Sequence, residues 1–197
     1  MKKALLVIDV QKVYTSPSSE LFCPDSAATI MRINSLIEKF RAAGEPVVYV
    51  RHVHKTDGSD LGRMFDFSGE WDGTFNFKEG TEEVEYADHL LSPKGDIELT
   101  KSRYSSFANT PLHEKLVKLG VDTVVVCGFM TNFCCDCTAR HAHDLDYYVD
   151  FVLDATGTPG TRTMNEEAVR KAVSDFISAG IARVLNTEEL LGIATRA

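Results

Sequence analysis

Thr123-Val124-Val125-Val126-Cys127, followed by Gly128-Phe129-Met130-Thr131-Asn132-Phe133-Cys134, is the stretch on which the reading of this chain turns. A short, continuous run of β-branched residues fits a strand covered on both faces, as in a parallel sheet. The segment after it joins that strand to a helical pattern over Asn132 to Leu145 and sets a cysteine in the first helical turn. The partial positive charge of a helix start lowers a thiol pKa, and its unpaired N–H groups can receive an oxyanion. One piece of backbone thus offers both a nucleophile and an oxyanion hole.

The same strand type recurs outward in both directions. Ala4-Leu5-Leu6-Val7-Ile8 closes on Asp9, and Pro46 to Val50, Tyr147 to Val152 and the weaker Ala182 to Leu185 repeat it. Ile97-Glu98-Leu99-Thr100 is a further strand-like run, and Lys101 follows it. Helical patterns alternate with the strands: Ala27 to Ala43 ended by Gly44, Pro111 to Leu119 ended by Gly120, and Glu166 to Ala179 ended by Gly180. Each glycine stands where a left-handed residue stops a helix, and Thr163 with Glu166 reads as a capping box for the last long helix. The alternation predicts an α/β fold: one three-layer α/β/α domain over residues 1–197, with a mostly parallel six-stranded central sheet and right-handed crossovers. The stretch at about 52–95 breaks the rhythm, holds the only tryptophan, and reads as a long functional loop.

A chain of 197 residues, 44% hydrophobic and 25% charged, can bury one sizeable core. Its net charge of -8, with dispersed Lys and Arg, argues against a nucleic-acid partner. The apolar runs are far short of the ~20 residues of a membrane span, and the N-terminus passes directly into a strand. The expectation is therefore a cytoplasmic protein with neither export signal nor membrane segment. Of the five cysteines, Cys127, Cys134, Cys135 and Cys137 crowd together and Cys23 stands apart, a pattern unlike a disulfide scaffold. Cys134 and Cys137 have a Cys-x-x-Cys spacing, but no distant pair completes a zinc site. Cys135 reads as core packing.

In open parallel sheets the binding crevice lies beyond the carboxyl ends of the strands. Asp9, Lys101 and Cys134 all fall there. Three segments carry a specific resemblance: Leu6-Val7-Ile8-Asp9-Val10-Gln11, then Lys101-Ser102-Arg103-Tyr104-Ser105-Ser106-Phe107, then Gly128 to Cys135 with Thr138-Ala139-Arg140. In this order and spacing the chain is similar to the isochorismatase-like cysteine hydrolases, which include nicotinamidases, N-carbamoylsarcosine amidohydrolases and ureidoacrylate or biuret amidohydrolases. The resemblance implies Asp9 as general base, Lys101 as the cationic member and Cys134 as nucleophile. It also implies a cis peptide at Phe129–Met130 and an oxyanion hole made by the backbone N–H groups of Met130 and Cys134.

The expected activity is hydrolysis of a C–N bond in a small carboxamide, ureido or carbamoyl compound through a thioester. Isochorismatase-type vinyl-ether cleavage is the rival within the family, and it needs no cysteine nucleophile. A non-catalytic ligand-binding or regulatory protein of the same fold is the rival from another class; three filled catalytic positions argue against it. Tyr14, His54, Trp71, Arg103, Tyr104 and Phe107 are candidate substrate contacts, and Phe65, Phe67, Phe75 and Phe77 near Trp71 form either an aromatic wall or a satellite core. His52 and His54 follow the second strand, but Arg51-His52-Val53-His54 lacks the acidic ligand of the nicotinamidase metal motif, so no metal or other cofactor is expected. The partner is a small molecule, and the resemblance implies a homo-oligomer.

Overall fold

A computed structural model of the chain describes residues 1–193. Six strands form one sheet: β1 (Lys3–Ile8), β2 (Val47–His52), β3 (Ile97–Lys101), β4 (Thr123–Phe129), β5 (Tyr148–Gly157) and β6 (Arg183–Leu185). They lie in the order β3-β2-β1-β4-β5-β6, and every pairing is parallel. The apolar runs are the central strands because parallel crossovers cover both faces. Leu5, Val7, Tyr49, Val125 and Cys127 face one layer and pack with α1 (Lys12–Thr15), α2 (Ser26–Ala43) and part of the long loop. Leu6, Ile8, Val50, Val124 and Val126 face the other and pack with α3 (Leu112–Leu119), α4 (Asp136–Asp144) and α5 (Glu166–Ile177). A short α6 (Thr187–Leu191) returns to the first layer. None of these helices is long and apolar enough to cross a membrane.

Gly44 and Gly120 stop their helices in the left-handed region, both at φ 67°, as the sequence predicts. Gly180 does not: α5 ends at Ile177, Ser178 caps it with right-handed dihedrals, and Gly180 has no positive φ. Nor is Thr163 the cap. Asn165 holds that position, its side chain accepting from the Ala168 N–H at 2.9 Å, because the residue directly before the first turn reaches the free N–H groups and one two places earlier does not. The helix read over Asn132 to Leu145 divides into a π-turn over Thr131–Cys135 and α4.

At the amino end of the sheet, Asp150 is 3% exposed and binds Lys3 of β1 and Arg183 of β6, each at 2.8 Å. Burial alone would raise this carboxyl, but the hydrogen bonds from Arg183 and Lys3 outweigh it and hold its pKa below the ordinary value. A depressed folded-state pKa adds stability that is present above the unfolded value of about 3.9 and is lost as pH falls through the folded value. Asp150→Asn is therefore expected to destabilise the protein by roughly 1–3 kcal/mol at pH 7. In urea unfolding curves the gap to the parent closes as pH drops below about 4.

Candidate active site

Asp9 sits just past β1 with φ 50°, a left-handed conformation that aspartate tolerates better than most residues. Its N–H donates to the Val50 carbonyl at 2.8 Å and its own carbonyl accepts from Gln11 at 2.8 Å, so the turn is pinned between β1 and β2. Gln11 is buried and reinforces this: its side chain donates to the carbonyls of His52 and Val84 and accepts from the His52 N–H.

The turn that carries Cys134 is fixed just as firmly. Gly128 has φ 121°, and a Cβ there would overlap the Ile8 carbonyl, so only glycine lets β4 pass this close to β1. The Phe129–Met130 peptide is cis. The Met130 carbonyl accepts from Phe133 and Cys135, and the Cys134 N–H is not among its donors. Thr131 donates to the Thr156 hydroxyl at 2.8 Å and Thr158 donates to the Asn132 side chain at 3.0 Å, tying the turn to β5 and the segment after it. Ser106 donates its N–H to the Thr138 hydroxyl at 2.9 Å, which links the segment after β3 to α4.

These constraints bring three remote residues together. The Lys101 ammonium lies 2.7 Å from an Asp9 oxygen and 3.2 Å from Cys134 Sγ, and it donates to the Arg103 carbonyl at 3.0 Å. All three side chains are buried. The Lys101 contact with Asp9 is a fully buried ion pair. Burial pushes the Asp9 carboxyl above its ordinary pKa, and Lys101 offsets only part of that. Burial also works against the Lys101 charge, but Asp9 and Cys134 beside it outweigh this and hold the ammonium protonated. Burial, with the Asp9 charge adding to it, raises the Cys134 thiol despite Lys101. The lowering expected from a helix start is thus overridden, and a thiol raised in this way needs a base to become a nucleophile.

A cavity of about 220 Å³ opens over Cys134. Its walls are Tyr14, Leu21, His52, Met64, Phe65, Asn76, Phe77, Tyr104, Met130 and Phe133. Among the sequence candidates, Tyr14 and Tyr104 line it; Tyr14 stacks on Phe129 at 5.3 Å, and Tyr104 meets Phe133 at 5.1 Å. His54 is fully buried against His52 and is not itself part of the wall. The other three are placed elsewhere. Trp71 is 41% exposed and donates to the Thr74 carbonyl in its own loop. Arg103 turns away to the carbonyls of Asp60 and Ser102. Phe107 packs on His141 and Tyr147 in the core. Of the aromatic group near Trp71, Phe65 and Phe77 do form wall, whereas Phe67 is exposed. Leu21, Asn76 and Phe133 were not legible as wall residues, because nothing in an irregular loop or on one turn of helix indicates which side chain faces inward.

The polar atoms of Asp9, His52 and Cys134 lie within 4.8 Å of one another, close enough to share a metal ion. The donor set does not fit one, because the Lys101 ammonium already sits between Asp9 and Cys134 as their cation. Arg51, beside the histidines, turns to the Tyr86 ring and Glu85.

Residues 3–189 match the family model described as the isochorismatase domain. The chain belongs to the isochorismatase family. Within that family it is 33% identical to nicotinamidase 3 of Arabidopsis thaliana over 95% of this chain and 86% of that one. It is 29% identical to the ureidoacrylate amidohydrolase of Methylobacterium radiotolerans over 98% of this chain and 81% of the other. The crystal structure of a cysteine hydrolase from Pseudomonas syringae superposes with a TM-score of 0.87 at 31% identity, covering 98% of this chain and 92% of that chain. The protein is thus an isochorismatase-family hydrolase with amidohydrolase relatives.

Proposed function

We propose that the chain hydrolyses the C–N bond of a small carboxamide, ureido or carbamoyl compound through a thioester on Cys134. The observation that carries this is the Lys101 ammonium held at 2.7 Å from Asp9 and 3.2 Å from Cys134, whose side chain lines a cavity open to solvent. Asp9, with a raised pKa, is a stronger base than an ordinary carboxylate and takes the thiol proton. The sulfur attacks the carbonyl carbon, and the N–H groups of Met130 and Cys134 receive the oxyanion. The C–N bond breaks as Asp9 returns the proton to the leaving nitrogen. Water, deprotonated by Asp9, then attacks the thioester and frees the carboxylate, and the proton passes back to Cys134. Lys101 stays protonated throughout and balances whichever of Asp9 and Cys134 carries the negative charge.

Rapid-quench mass spectrometry tests the mechanism. An acyl mass on the peptide bearing Cys134 during turnover supports it, and ammonia release without any such adduct under substrate saturation overturns it. The walls also rank substrates. Of the buried trio only Cys134 lines the cavity, and no Lys, Arg, Asp or Glu side chain does, so a substrate carboxylate entering it would lose hydration without a partner. Neutral carboxamides are expected to exceed ureido acids of equal size by roughly tenfold or more in kcat/KM, measured as ammonia release across a panel.

A further inference from the structure

The mechanism leaves two buried imidazoles unused. His52 ends β2 and His54 follows it. The Nε2 atoms of the two rings are 3.0 Å apart. Nδ1 of His54 lies 3.4 Å from Oδ1 of Asp60 without hydrogen-bond alignment, and Nδ1 of His52 is likewise buried with no hydrogen-bond partner. Phe77 stacks flat on His52 at 4.5 Å, and Phe65 and Phe75 pack edge-on against His54, so both rings are held in place.

Which nitrogens carry protons follows from these contacts. Burial keeps both rings neutral, reinforced at His52 by the nearby Lys101 charge and acting at His54 against Asp60. A neutral imidazole has one donor nitrogen and one acceptor, and a carboxylate only accepts. At 3.4 Å the contact is longer than an ideal hydrogen bond, but a carboxylate facing a lone pair at that distance is repelled, so His54 carries its proton on Nδ1. Its Nε2 is then the acceptor. At 3.0 Å the opposing His52 Nε2 must donate, which leaves His52 Nδ1 as a lone pair. Asp60 is itself oriented, since the Lys55 N–H donates to the same oxygen at 3.1 Å.

His52 belongs to the cavity wall over Cys134, and one of its ring nitrogens lies within 4.8 Å of both an Asp9 oxygen and Cys134 Sγ. With Nε2 engaged by His54, Nδ1 is the nitrogen left for a ligand. We infer that Asp60, His54 and His52 form a relay presenting a hydrogen-bond acceptor beside Cys134, so that His52 selects carbonyl compounds bearing an N–H donor, primary amides and ureas, over the matching esters. This rests on the proposed amide hydrolysis and adds a specificity residue to it. A hydrogen bond from the substrate –NH2 to His52 holds the leaving nitrogen near Asp9, which must protonate it. Asp60 and His54 are positioning residues that act through His52.

Two readouts test this. Long-range ¹H–¹⁵N spectra of histidine-labelled protein report the tautomers without any need for turnover. The expected result is the Nε2–H form for His52 and the Nδ1–H form for His54, with the preference lost in Asp60→Ala; an Nδ1–H form of His52 in the parent overturns the relay. In Cys134→Ala, benzamide is expected to shift His52 Nδ1 upfield, and an unmoved resonance at saturation overturns its role in selection. The second readout is kcat/KM for benzamide and methyl benzoate in the parent, His52→Phe and Asp60→Ala. Amide cleavage is expected to fall roughly tenfold further than ester cleavage in the variants, and equal losses overturn the role. If His52→Phe does not fold, Asp60→Ala, whose side chain is partly exposed, carries the same comparison. If the parent turns over no amide at all, the proposed function falls, and the spectra still decide the relay.

Discussion

Asp9→Asn is expected to cut amide turnover by about 10³-fold or more, and at the same time to make Cys134 easier to alkylate. The two effects have one cause. Asparagine keeps the shape of the side chain but cannot take the thiol proton, so the attacking sulfur is not generated within the bound complex. In the parent, however, the Asp9 charge is also one of the reasons the thiol pKa is high, whereas Lys101 pulls it down. Removing Asp9 leaves the ammonium 3.2 Å from the sulfur as its dominant neighbour, and a thiolate becomes the natural counter-ion for a buried cation. Faster reaction of Cys134 with iodoacetamide at neutral pH, alongside lost ammonia release, is the expected pair of results. Turnover within tenfold of the parent would remove Asp9 from the mechanism. Slower alkylation would show that Lys101 does not govern the sulfur.

Lys101→Met has the opposite effect on the thiol and a larger one on stability. Without the ammonium, the Cys134 pKa rises further and alkylation slows. Asp9 is left fully buried with no positive neighbour, and breaking one side of a buried ion pair costs roughly 3–5 kcal/mol. The sign with pH is fixed. The folded-state pKa of Asp9 is already raised, and losing Lys101 raises it more, so the folded state binds a proton that the unfolded state has released. Stability therefore falls as pH rises from the unfolded carboxylate value of about 3.9 toward the folded value. Denaturant midpoints for Lys101→Met are expected to approach those of the parent near pH 4 and to diverge above it. A deficit that does not change with pH would mean the loss comes from packing and not from the uncompensated carboxylate.

The need for lysine at this position follows from the strand order. Asp9 ends β1 and Lys101 ends β3, with β2 between them. Two strand spacings are about 10 Å, and only a long side chain with its charge at the tip bridges that gap. The Lys101 motif is legible because its residues must serve this geometry and the link from Ser106 to Thr138. The aromatic wall was only partly legible for the opposite reason. In the irregular segment between β2 and β3 no period assigns a side chain to the inside, so Phe65 and Phe77 could not be told from Phe67, nor Trp71 from either.

The sequence by itself determined the alternation of strands and helices, the stops at Gly44 and Gly120, the family, and the three residues placed at the carboxyl ends of strands. Local patterns carry these, because periodicity, turn chemistry and short motifs depend on residues near one another in the chain. Only the tertiary structure decided that burial raises the Cys134 thiol, that Arg103 and Phe107 face away from the cavity, and that His52 and His54 stand ring to ring beside it. Desolvation, and the distance between groups on different strands, are properties of the packed molecule; they do not exist until the sheet has closed around Asp9.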